Sequence, residues 1–467
     1  MPLTGQTVVV LGMGRSGQSA AILARDLGAT VICADQNPAS TAPDGCTNTC
    51  GESHLLALKK ADTLVVSPGV PASLSPIKDA AEKGTRVVGE LAFAAQLIRD
   101  HAPIPVAAIT GTNGKSSTTH LTGQMLSHNG FRPWVGGNLG QPLSDLAHQR
   151  VVQPLRNQPV HDVAVIEVSS YQMELPERFH ADAACVLNIT PDHLARHGDM
   201  QNYAATKLRI FDGMGPGDLG IMPLDEPWLN TTIAGLTKRG GAIQWIGKNP
   251  GVDWSSHPPN LVEAEFQGTR DDGTVDLSAF PLPGTHNVSN ALAAALLAIH
   301  LGAKRDEIRM DALEPLPHRM EIVCQSQGIR WINDSKATNI DAALVGIEGA
   351  GTSSIVLLGG EGKAGADYRQ LITALEQRAK AVICFGASGT TIATSLTNSG
   401  LQPLVHNPTN FIEAMRLAAQ LASRGDTVLL SPACASFDEF SNFERRGEAF
   451  GRVATELMDS NEHRGAS

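Results

Sequence analysis

Short, wholly apolar runs alternate with amphipathic stretches along nearly the whole chain, and that alternation restricts the fold more than any other feature. The runs include Val8–Leu11, Val31–Ala34, Leu64–Val66, Val106–Ile109, Val163–Ile166 and Ala184–Leu187. A strand that is apolar on both faces must be covered on both faces, and helices packed above and below a parallel sheet supply that cover. The expected class is α/β. Runs at Ile329–Ile332, Ile355–Leu358, Val382–Phe385 and Val428–Leu430 continue the pattern towards the C-terminus. A chain of 467 residues exceeds the roughly 250–300 residues at which a single core stops growing, so several domains are expected. Pro103 and Pro105 follow the helix-like segment Leu91–Ile98, and Pro315 and Pro317 follow a second helical stretch. Helices tend to stop before proline. These breaks predict three domains, 1–99, 100–315 and 316–467, each with a mainly parallel sheet flanked by helices.

The net charge of -11 argues against a general nucleic-acid binder, because duplex affinity comes mainly from basic side chains that neutralise phosphates. No apolar stretch approaches the roughly 18 to 20 residues of a membrane span, and the best candidate, Ala291–Ile299, reads as a buried helix. The chain starts with a strand-like run and lacks the basic start and apolar core of a secretion signal, so a cytoplasmic location without membrane association is expected. The seven cysteines are dispersed and odd in number, which points to reduced thiols.

Val106–Thr110 reads as a strand and Lys115–Ser127 as a helix, with Gly111-Thr112-Asn113-Gly114-Lys115-Ser116-Ser117 between them. Glycines in that position let backbone N–H groups converge on phosphate oxygens at a helix N-terminus. Lys115 would reach the terminal phosphates, and the Ser116 hydroxyl would sit on Mg²⁺. The general phosphate-loop pattern asks for a glycine where this chain has Ile109.

Three further features bear on chemistry. Glu167 closes the run Val163–Ile166, and the carboxyl end of a buried strand is where open α/β sheets bind ligands. Its oxygens suit Mg²⁺, although a helix-capping role fits equally well. His193 follows the next strand and faces the same edge, while a single histidine is more often structural. Gly12-Met13-Gly14-Arg15-Ser16-Gly17 follows a strand, and Asp35 ends the next one, as in a dinucleotide site. That fingerprint keeps an NAD-dependent oxidoreductase open as a rival.

The Gly-Thr-x-Gly-Lys-Ser form of the loop resembles that of the Mur ligase superfamily, ATP-dependent amide-forming enzymes that include folylpolyglutamate synthetases. Within it, Asn333-Asp334-Ser335-Lys336-Ala337-Thr338-Asn339 and Ser431–Asp438 resemble the members that add D-glutamate to UDP-N-acetylmuramoyl-L-alanine in peptidoglycan precursor synthesis. The similarity spans nearly the whole chain. It implies an acyl-phosphate intermediate and three domains, Rossmann-like, phosphate-loop and Rossmann-like, holding UDP-sugar, ATP and amino acid in that order. A ligase of the superfamily taking another amino acid, or extending folate, is the nearest alternative.

The resemblance also implies residue roles. Gly111, Thr112, Asn113, Gly114, Lys115, Ser116, Ser117 and Thr118 would hold ATP, with Asn287 and Asn290 from the Gly284–Asn290 run. Arg319, Asp334 and Lys336 would complete that site. Two Mg²⁺ ions would be held by Ser116, Glu167, His193 and Lys207, the last as a carbamate, and Lys115, Glu167, His193 and Lys207 would be catalytic. Read without the resemblance, Lys207 is an exposed helical lysine. Gly14, Arg15, Ser16, Asp35, Ser67, Gly69, Asn138 and Ser169 would face the UDP-sugar. Thr338, Lys363, Ser436 and Phe443 would face D-glutamate. The working form is expected to be a monomer with small-molecule partners only.

Overall fold

The computed structural model describes residues 1–152, 161–175, 177, 179–223, 227–246, 263–264, 275–277, 279–281, 285–363, 365–401 and 404–465. Gly284 lies outside the described residues. The chain forms two compact units, Met1–Glu314 and Pro315–Ser467.

The first unit holds two open parallel sheets. One contains β1 (Thr7–Leu11), β2 (Thr30–Ala34), β3 (Thr47–Asn48), β4 (Thr63–Val66) and β5 (Arg86–Gly89), in the order β3-β2-β1-β4-β5. The other contains β6 (Val106–Thr110), β7 (Pro133–Gly137), β8 (Val163–Glu167), β9 (Ala183–Val186), β10 (Leu219–Pro223) and β11 (Ala242–Ile246), in the order β11-β10-β9-β6-β8-β7. The central strands are buried on both faces, as their unbroken apolar runs require. A short antiparallel pair, β12 (Glu263–Ala264) with β13 (Val275–Asp276), stands apart.

Both sheets reverse direction at a central strand: the chain winds outward one way from β1 and returns to place β4 on its other side, and β6 is likewise flanked by β8 and β9. Such reversals open a crevice at the carboxyl ends of the strands, because the flanking helices leave on opposite faces. The helix predicted at Leu91–Ile98 extends over Glu90–His101 and stops just before Pro103. Its Phe93, Ala94 and Leu97 join Leu143, Leu146, Ile166 and Phe179 in one continuous core, so the two sheets share apolar packing. The alanine-rich segment lies in the Thr285–His300 helix, with Ala291 and Ala293–Ala295 fully buried.

The second unit has one six-stranded sheet: β14 (Glu321–Ser326), β15 (Ile329–Asn333), β16 (Ser354–Gly359), β17 (Ala379–Phe385), β18 (Val405–His406) and β19 (Thr427–Leu430), in the order β14-β15-β19-β16-β17-β18. Four of the five pairings are parallel, and two apolar clusters pack against it. The β14–β15 hairpin is antiparallel and was not apparent from apolar runs, because β14 is a half-exposed edge strand. Its turn, Gln327-Gly328, has positive φ at both residues (54° and 76°), the twist that two-residue hairpins favour. All seven cysteines are unbridged. Among the described residues, no helix is long and apolar enough to cross a membrane.

Glu90 begins the Glu90–His101 helix yet is 1% exposed; one carboxyl oxygen accepts from the Ser144 amide at 2.8 Å, and the other has no hydrogen-bond partner among the described residues. Burial pushes its carboxyl from 4.5 up to about 7, against the lowering effect of Ser144. The folded state therefore holds a proton that the unfolded chain has already released, so this stabilisation is complete below about pH 4.5 and lost as pH rises through about 7. Glu90→Gln should remove that dependence. The change in unfolding free energy between pH 5 and pH 8 should differ between the two proteins by about 2 kcal/mol; parallel pH profiles would contradict a neutral Glu90.

Candidate functional site

The phosphate loop is a strand-to-helix turn held from below by the segment after β9. Thr112 N donates to Asn188 O at 2.9 Å, Asn113 N to Asn188 Oδ1 at 2.8 Å, and Asn188 Nδ2 returns to Asn113 O at 3.1 Å. The Thr112 hydroxyl donates to Thr190 O and accepts from Thr190 N, both at 3.0 Å. Gly114 has φ +84°, and a Cβ there would run into the side-chain oxygen of Asn290. That approach places Asn290 of the Thr285–His300 helix against the loop, with Asn287 three residues earlier in the same helix. Ser116, Ser117 and Thr118 are buried in the first turn of the Lys115–His128 helix.

Two lysines meet over this turn. Lys115 Nζ donates to Gly111 O and Thr112 O, both at 2.8 Å, and Lys207 Nζ donates to Gly111 O at 2.7 Å. Lys207 is 2% exposed, which corrects the picture of an exposed helical lysine. Burial, reinforced by the like charge of Lys115, holds its ammonium well below the usual lysine range. Asp192 and Glu167 oppose that shift.

Because β8 and β9 flank β6, their carboxyl ends open on the same edge as the loop. Glu167 is 3% exposed, and its Oε1 accepts from Asn138 Nδ2 at 2.8 Å. His193, with φ 54°, lies on the surface at the end of the Asn188–His193 segment; its Nδ1 is 3.0 Å from Tyr171 Oη and its Nε2 3.4 Å from Asp192 Oδ2. An aromatic ladder runs inward from it through Tyr171 and His197 to Tyr203, whose hydroxyl is 3.1 Å from Thr112 Oγ1. Among the described residues no three His, Cys, Asp or Glu side chains close on one point. Buried oxygen donors at Ser116 and Glu167 nevertheless suit Mg²⁺, which takes few protein ligands and keeps water and substrate phosphates in its shell.

The first sheet and its neighbour enclose a cavity of about 530 Å³. Gly14, Arg15, Ser16, Asp35, Ser67, Gly69 and Asn138 all line it. Ser169 does not; its hydroxyl binds Gln172 Oε1 at 3.0 Å, and Gln172 is the residue on the wall. Gln36, His54 and Leu55 are further wall residues that spacing did not reveal. The Asp35 carboxylate accepts from Met13 N at 2.6 Å and Asn37 N at 2.8 Å, which ties it to the glycine turn. Arg15 Nη1 donates to Gly140 O at 2.6 Å, linking that turn to the loop that carries Asn138.

The second unit gathers its own set. Asp334 is buried; Ser431 Oγ donates to its Oδ2 at 2.7 Å, and desolvation pushes its carboxyl up to about 7 while Ser431 and Arg319 pull it down. Lys336 Nζ lies 5.1 Å from the Phe443 ring centre. Thr338 is half-buried, Lys363 exposed and Ser436 buried. The fully buried Arg446, which no motif singled out, ties their loops together. Its guanidinium donates to Ser335 Oγ at 3.0 Å, Ser335 O at 2.9 Å, Cys434 O at 3.0 Å, Ala435 O at 3.1 Å and Gly359 O at 3.4 Å. Burial lowers it to about 10.

Comparison with known proteins matches residues 6–89 to the "Mur ligase MurD-like, N-terminal domain", 109–298 to the "Mur ligase middle domain" and 318–434 to the "Mur ligase, glutamate ligase domain". A protein of Pelotomaculum thermopropionicum called "UDP-N-acetylmuramoylalanine--D-glutamate ligase" is 36% identical, covering 97% of this chain and 98% of its own. One of the same name from Anaeromyxobacter dehalogenans is 38% identical, over 97% and 98%. Among solved structures, MurF ligase from Thermotoga maritima in complex with ADP matches with a TM-score of 0.59 at 16% identity, covering 98% of this chain and 96% of that one. UDP-N-acetylmuramate-alanine ligase MurC from the same organism matches at 0.57 and 16%, over 98% and 100%. At those identities the structural likeness concerns the fold.

Lys115→Ala should leave the far-ultraviolet circular dichroism spectrum intact, since the ammonium's bonds to Gly111 O and Thr112 O lie within its own turn. Nucleoside triphosphate turnover should fall by on the order of 10² to 10³-fold, as when one stabilising donor to developing charge is removed. Undiminished turnover would show that the lysine does not act on phosphate.

Proposed function

This chain belongs to the Mur ligase family, and we infer on that premise that it uses ATP to join D-glutamate to UDP-N-acetylmuramoyl-L-alanine, an amide-forming step of peptidoglycan precursor synthesis. The observation that carries the reading is the braced phosphate loop with two lysines above it and a buried carboxylate on the same sheet edge. The relatives named for D-glutamate addition, alike over nearly the whole length, supply the substrates.

The chemistry follows from a protonation problem. At neutral pH a carboxylate and an ammonium form a salt, so condensation needs an activated acyl group. The L-alanyl carboxylate attacks the γ-phosphorus of ATP, ADP leaves, and an acyl phosphate results. The free amine of D-glutamate then attacks the acyl carbon, the C–O bond breaks, and inorganic phosphate departs as the nitrogen loses a proton. Lys115 stabilises charge on the transferring phosphoryl group. Asn290 stands against the loop, and its amide, with that of Asn287 three residues earlier in the same helix, would orient the nucleotide. Mg²⁺, when bound, offsets the repulsion between two anions that must react. Ser116, Glu167 and His193 are the residues that would hold it.

Lys207 is the remaining member of the set. Only a neutral amine adds to CO₂, and burial beside Lys115 favours the neutral form. The addition forms an N–C bond, releases one proton and replaces a cation by an anion with two oxygens, able to hold a metal where an ammonium would repel it. Gly14, Arg15, Ser16, Asp35, Ser67, Gly69 and Asn138 in the cavity take the UDP-sugar, with Ser169 acting beside Gln172, whose side chain it binds. In the second unit Thr338, Lys363, Ser436 and Phe443 take D-glutamate, while Arg319, Asp334 and Lys336 serve the nucleotide. We further propose three functional domains (1–99, 100–315 and 316–467), a monomeric working form and a cytoplasmic location.

Phosphate release from ATP should require both UDP-N-acetylmuramoyl-L-alanine and D-glutamate, and the product mass should correspond to one added glutamate. Release that ignores D-glutamate, or a product bearing another amino acid, would replace this reading with a different ligase. Lys207→Arg should lose turnover, and wild-type protein given ¹³C-bicarbonate should show a carbamate carbon resonance that the variant lacks. Identical spectra would rule the carbamate out.

A further inference from the structure

We propose that Tyr171 is a positioning residue for His193, setting which ring nitrogen the histidine presents to a divalent cation. The inference rests on the reading of His193 as a cation ligand. Tyr171 follows β8 by a few residues, and His193 follows β9, so their contact spans the carboxyl end of β6 from one flanking strand to the other. The phenol oxygen lies 3.0 Å from Nδ1, and the rings are 5.0 Å apart at 57°. A cation on Nε2, the nitrogen that otherwise faces Asp192 Oδ2 at 3.4 Å, requires the ring proton on Nδ1, where the Tyr171 hydroxyl stands to accept it. Without that acceptor the Nδ1–H form loses its partner, the Asp192 carboxylate favours the proton on Nε2 instead, and a share of the histidines present the wrong atom.

The tyrosine is itself held firmly. The Arg196 guanidinium stacks 4.9 Å from its ring centre. Arg196 forms a two-point pair with Glu174, Nε to Oε1 at 2.7 Å and Nη2 to Oε2 at 2.8 Å. It also donates to Val70 O at 2.9 Å and Pro68 O at 3.4 Å, on the wall of the nucleotide-sugar cavity. Side-chain exposures of 18% for Arg196 and 13% for Glu174 make this an anchored pair rather than a solvated one. The hydroxyl of Tyr171 is thus aimed by packing from the cavity side, and His193 takes its direction from that hydroxyl.

Tyr171→Phe removes one oxygen and keeps the stacked ring, so the melting temperature should be unchanged. In full-length protein with a non-hydrolysable ATP analogue, Mn²⁺ titrations followed by electron paramagnetic resonance should show the His193-dependent site lost in His193→Ala. The same site should be weakened about tenfold in Tyr171→Phe, the low end for removing an outer-shell partner. In the Mg²⁺-loaded protein, ring ¹⁵N shifts of His193 should report the Nδ1–H tautomer in the wild type and a mixture in Tyr171→Phe. If His193→Ala weakens Mn²⁺ binding while Tyr171→Phe alters neither affinity nor tautomer, the positioning role is wrong and the ligand reading stands. If His193→Ala binds Mn²⁺ as wild type does, the ligand reading fails and takes the inference with it.

Discussion

Two ammonium groups converge on the carbonyl oxygen of Gly111, one from Lys115 at the start of the helix that follows the loop and one from Lys207 in a later helix. Like charges packed together and shielded from water raise each other's energy, and the more deeply buried Lys207 responds by favouring its neutral form. Lys115 keeps its positive charge where backbone N–H groups already point outward from a helix start. An anionic phosphate is the species that such a surface accepts most readily. Much else around the loop serves to keep this arrangement rigid: Asn188 and Thr190 fix the turn from below, and Tyr203 lies 4.7 Å from the Lys207 ammonium.

Strand order turns that local device into a multi-substrate site. With β6 between β8 and β9, Glu167 and the Asn188–His193 segment open on the same edge as the loop, although they are far apart in sequence. The first sheet repeats the arrangement at β1 and β4, where the Gly12–Gly17 turn and the Ser67–Val70 turn border the cavity. Asn138 joins the two regions physically, lining the cavity while donating to Glu167. Arg196 does so a second time, from the His193 side to the carbonyls of Pro68 and Val70.

Features carried by short-range pattern were legible in the sequence. The parallel sheets follow from strands apolar on both faces, and the phosphate loop from glycines between a strand and a helix. Features that depend on which side chain meets which across the fold were not. Arg446 has no motif, yet one guanidinium binds carbonyls in three loops because burial forbids leaving its donors unpaired. The β14–β15 hairpin escaped because an edge strand need not be apolar on both faces. Similarity names Ser169 for the UDP-sugar, and only the fold shows that its hydroxyl bonds Gln172, whose side chain lines the cavity.

The chain's own order of residues determined the fold class and the place where phosphate chemistry can occur, since both arise from periodicity and from backbone freedom within a few neighbouring residues. Tertiary structure alone decided that Lys207 is buried beside Lys115, that Tyr171 reaches His193 and that Glu90 holds a proton near neutral pH. Those outcomes depend on desolvation and on contacts across strands that are distant in sequence, and neither quantity exists until the sheets have packed.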